Sequence, residues 1–189
     1  MSAAAAARVE RVVAAVCAAA VRDAAAAGIM VVQGDAEAVA LLERWLRQAG
    51  IVVEGGRPPD VAEPRHAGDA LIAHPACRTE LLLCGRLPLA DLLPLGDLWA
   101  SQLRALAGGW RGPAWLERLA AAAGGLAAVD GALMALVEEH RPAAVAVAGL
   151  PAAAAAELLQ RYAAGRWHRL RPRLVPKLAV RTLGIDLFD

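Results

Sequence analysis

The sequence predicts an α/β fold: a parallel sheet followed by a helical C-terminal half. Three observations carry this. Short, continuous apolar runs recur early in the chain, as expected of strands buried on both faces. Helical periodicity separates the first two of them, the alternation that opens a parallel sheet. From Leu98 onward the periodicity is almost wholly helical, broken by glycines.

Each element has a local reason. Val9, Val12, Val13, Val16 and Ala20 repeat at helical spacing and predict a first helix from about Ala3 to Ala26, capped by Gly28. Ile29-Met30-Val31-Val32 is the first strand, and Gln33-Gly34-Asp35 turns the chain. Val39, Leu42, Trp45 and Leu46 share one face of a second helix over Ala36 to Gln48. Ile51-Val52-Val53 follows as a second strand. Glu54 to Gly68 holds Pro58, Pro59 and Pro64 and reads as a loop. Ala70 to Ala73 is a third strand, followed by a helix from about Cys77 to Leu83. Further helices are expected over Leu98 to Ala107, Pro113 to Ala123, Asp130 to Glu139 and Pro151 to Ala164. Residues 165–189 read as an extended basic tail.

Composition narrows the function classes. The length of 189 residues suits a single domain with a real core. A net charge of +1 argues against strong steering toward nucleic acid. No stretch reaches the roughly 18 apolar residues of a membrane span, and the N-terminus lacks a secretory pattern. Three cysteines, Cys17, Cys77 and Cys84, form no disulfide framework, so a reduced cytoplasm is the simplest setting. Cys77, Cys84 and His74 lack the paired spacing of a zinc site. Trp99, Trp110 and Trp115 read as packing or interface residues, because a base-stacking platform needs more interleaved cations.

Ala90-Asp91-Leu92-Leu93-Pro94-Leu95-Gly96-Asp97-Leu98 and the tail from His168 to Asp186 resemble the ammonia-transferring domain of NAD synthetases. Those enzymes are ATP pyrophosphatases. The resemblance implies a reduced adenine-nucleotide α-hydrolase-like (Rossmann-like) sheet with helices on both faces. The family's S-G-G-x-D-S motif cradles ATP phosphates at a helix N-terminus, where N–H groups and the dipole favour anions. The matching stretch here is Gln33-Gly34-Asp35-Ala36-Glu37-Ala38. Asp35 puts a carboxylate at the phosphate position, and Ala38 removes a hydroxyl. Asp35 also reads simply as an acidic helix start.

A second motif, ending G-N-K-[ST]-E, resembles Ala76 to Gly85 and aligns Thr79 and Glu80. The nucleotide-binding candidates are therefore Gln33, Gly34, Asp35, Glu37, Thr79 and Glu80, with Glu37 and Glu80 as magnesium ligands. Asp91, His168, Arg171 and Lys177 align with substrate-side positions. The cations from Arg161 to Arg181 read equally as a solvated tail. The family's substrate-holding T-K-Y-G-D-G segment and its acidic covering loop have no counterpart.

The family dimerises near the D-L-x-P-L-G-D-L segment. Leu92, Leu95, Leu98 and Trp99 are thus the expected interface. The resemblance implies a pseudoenzyme of NAD biosynthesis: a homodimer, or the partner of an active relative. The alternative it leaves open is a minimal ammonia-dependent NAD synthetase, or another adenylating ligase, using ATP and Mg with Glu37, Glu80 and Lys177.

Overall fold

A computed structural model of the chain describes residues 2–32, 34–54, 69–84 and 90–165. The expectations for Gln33, for most of the proline-rich loop and for the basic tail with His168, Arg171 and Lys177 lie outside the described residues.

The fold is mixed α/β. Its elements run α1 (Ala3–Asp23), β1 (Ile29–Val31), α2 (Ala36–Gln48), β2 (Val53–Glu54), β3 (Leu71–Ala73), α3 (Arg78–Leu83), α4 (Ala100–Ala107), α5 (Ala114–Ala123), α6 (Leu126–Val137), α7 (Ala143–Ala146) and α8 (Ala152–Ala164). The three strands form a parallel sheet in the order β2-β1-β3. Ile29 pairs with Val53 on one side and with Leu71 on the other. An isolated parallel bridge, Ala73 to Leu92, extends the sheet beyond β3.

The sheet begins where Gly28 lets it. The chain leaves α1 earlier than its periodicity suggests, through a turn in which Ala25 takes a positive φ of 51°. Gly28 is therefore not the helix cap. It is buried, and a Cβ there would lie 2.5 Å from the Val52 carbonyl oxygen. Only a bare Cα permits β1 and the strand beside it to approach so closely. Ile29 N–H then donates to that same Val52 oxygen at 2.9 Å.

Amphipathic α2 covers β1 and β2 and packs on α1 and α4. Ala38, Leu41, Leu42, Trp45 and Leu46 form its buried stripe. Each fully buried leucine of that stripe stabilises the fold by roughly 1.5–3 kcal/mol. Below the sheet in sequence, α5 packs on α6 and α8, α4 on α6, and α3 on α8. The break between α5 and α6 is Gly124-Gly125, at φ 89° and 128°. The helix restarts directly after it, so Asp130 lies inside α6 rather than at its beginning.

The expected interface residues are core residues. Leu92, Leu95, Leu98 and Trp99 are at most 3% exposed, and all belong to the apolar core. The segment Leu92 to Trp99 turns inward between α3 and α4. Its crowding of apolar side chains is satisfied within the chain. The helix expected from Leu98 starts at Ala100, because Trp99 is held in extended backbone as the N-cap.

Candidate functional site

In a parallel sheet, ligand crevices open at the carboxyl ends of strands where the strand order reverses. Here that point lies between β1 and β3, since the chain leaves β1 toward β2 and returns to the opposite side of β1. Two loops meet there, one bringing Gly34 and Asp35 after β1 and the other bringing residues 74–77 after β3. They are in tight contact: a Cβ on Gly34 would come within 2.5 Å of the Pro75 ring.

A carboxylate sits at the start of each helix that follows these loops, Asp35 ahead of α2 and Glu80 in the first turn of α3. Asp35 Oδ1 accepts from Glu37 N–H at 3.0 Å and from Ala38 N–H at 3.2 Å. It is the cap of α2, so the amides expected to meet phosphate are already bound by the chain's own acid. Glu80, in the first turn of α3, reaches back the other way: its Oε2 accepts from the N–H of the N-cap residue Cys77 at 2.9 Å. Burial first, and then the charge of Asp35, push the Glu80 carboxyl above its ordinary value, while its bonds with Cys77 pull it down. The two caps therefore face one another as like charges.

Glu37 stands on the exposed side of the same helix start. The loop between α4 and α5 comes close to it: a Cβ on Gly109 would lie 3.3 Å from the Glu37 Cδ. Arg104 fixes this loop. Its Nε donates to the Trp110 carbonyl at 3.1 Å and its Nη2 to the Arg111 carbonyl at 3.2 Å. It also pairs with Glu117.

Thr79 is not at the crevice surface. It is fully buried; its hydroxyl donates to Asp130 Oδ1 at 2.6 Å and accepts from Ala100 N–H at 2.9 Å. Asp130 Oδ2 accepts from Ser101 N–H at 2.8 Å. Together, Thr79 and Asp130 cap α4 from two other helices, which Trp99, with no capping side chain, cannot do for itself. Asp91 is likewise a backbone partner. Its Oδ2 accepts from Ile72 N–H at 2.7 Å on the edge of β3 that faces away from β1. That closes an edge amide that would otherwise lack a ladder partner.

One group the sequence reading missed, the Arg78 guanidinium, ties several parts of the interior together. Arg78 is fully buried; its Nη1 donates to Asp97 at 3.3 Å and to Glu138 at 2.8 Å. Its guanidinium lies 4.8 Å from the Trp99 ring centroid. The signal was present: Asp97 and Asp130 both sit in apolar stretches, and buried carboxylates demand partners. Trp110 and Trp115 each also take an arginine, Arg104 and Arg161.

The chemistry these groups can do is limited. Burial pushes the Cys17 thiol up to about 12 and the Cys77 thiol well above its ordinary value, so both stay protonated and poorly nucleophilic. Among the described residues no three His, Cys, Asp or Glu side chains converge on a metal-sized site. Magnesium is commonly held by one or two carboxylates with substrate phosphates. Of the Glu37 and Glu80 pair, Glu80 already commits an oxygen to the backbone of Cys77.

The raised carboxyls predict a pH dependence. Burial pushes Asp130 up, against the hydrogen bonds from Ser101 and Thr79 that pull it down. An acid whose folded value exceeds its unfolded value binds more protons when folded. Stability is then greatest near the ordinary carboxylate range and falls as pH rises through the raised values. Urea midpoints are expected to be higher at about pH 4, the ordinary carboxylate range, than at about pH 8, and Asp130→Asn is expected to flatten the difference. A profile that rises toward pH 8 in the unmodified chain would contradict this.

No protein-family model, curated protein or solved structure matches the chain. The functional reading therefore rests on the site's own geometry and on the motifs described above.

Proposed function

We propose that this chain is a non-catalytic relative of NAD synthetases, with a reduced adenine-nucleotide α-hydrolase-like fold, that acts by association. One observation carries the reading: three of the residues at the nucleotide positions, Asp35, Thr79 and Glu80, spend their side chains on the chain's own backbone. Asp35 caps α2, Glu80 caps α3, and Thr79 is closed into the buried junction with Asp130 and α4. A triphosphate entering at Gly34 would meet Asp35, Glu37 and Glu80 in place of donors. The parallel order β2-β1-β3, with both loops at the switch point, supports the kinship in fold.

The test is nucleotide binding and turnover by the purified chain. A ligand at 100 times its dissociation constant adds about 2.7 kcal/mol, which for a chain of this size raises the melting temperature by roughly 5–10 °C. Millimolar ATP with magnesium is expected to leave the melting temperature unchanged. No conversion of deamido-NAD, ATP and ammonia to NAD is expected. Ammonia-dependent turnover lost in Glu80→Ala would establish a minimal synthetase instead.

A further inference from the structure

We draw no further inference here: the strongest candidate, the exposed apolar surface patch formed by α7 and the first turns of α8, carries nothing because no feature of the structure shows what covers it.

Discussion

Arg78→Ala is expected to destabilise the fold by about 3–5 kcal/mol, a large part of the stability of a domain this size. The guanidinium is fully buried, and it ties α3 to the Asp97 turn and to the end of α6 through Glu138. Removing it takes the paired cation from the fully buried carboxylate of Asp97 and unstacks Trp99. Much of the loss comes from the partner left behind. A combined Arg78→Met and Asp97→Leu variant is therefore expected to recover a substantial part of it, as apolar replacements of buried ion pairs often do. Urea denaturation of the two variants measures this. A loss under about 1 kcal/mol for the single variant would mean that the pair behaves like a solvated one.

Trp99→Ala is expected to cost about 3–5 kcal/mol as well, the usual range for removing a large aromatic from a core. The ring is 3% exposed and lies under Arg78, so the two losses should not add. A double variant is expected to lose less than the sum of the singles. The experiment also bears on where the ring acts. A Trp99→Ala chain that stays fully folded but falls apart from a dimer would return Trp99 to an interface role. Loss of cooperative folding places it in the core, where the structure has it.

The sheet was legible in the sequence because buried parallel strands are written as unbroken apolar runs. Ile29–Val31 and Leu71–Ala73 lie within the runs that predicted them. The second strand is shifted, because Val52 meets β1 through its carbonyl and the described ladder begins at Val53. Asp35 as the cap of α2 was legible too, since an acid just ahead of an apolar period has one common use. What was not legible is the destination of apolar side chains. Leu92, Leu95, Leu98 and Trp99 look alike whether they face another chain or their own helices, and only the inward turn of the segment decides. The roles of Thr79, Asp91 and Asp130 were hidden for a related reason. Each bonds a residue far away in sequence, and no local pattern encodes such a partner.

The capping of α4 has a consequence for how the chain acquires its structure. The first amides of this helix are held by Thr79, from before it, and by Asp130, from after it. An eight-residue helix is too short to persist alone in water. Gln102 helps locally, accepting from Trp99 N–H at 2.9 Å, but the amides of Ala100 and Ser101 are held when segments about fifty positions apart have met, and closing that loop has an entropic cost. α4 is thus expected to be complete when the sheet-bearing and helical halves have joined.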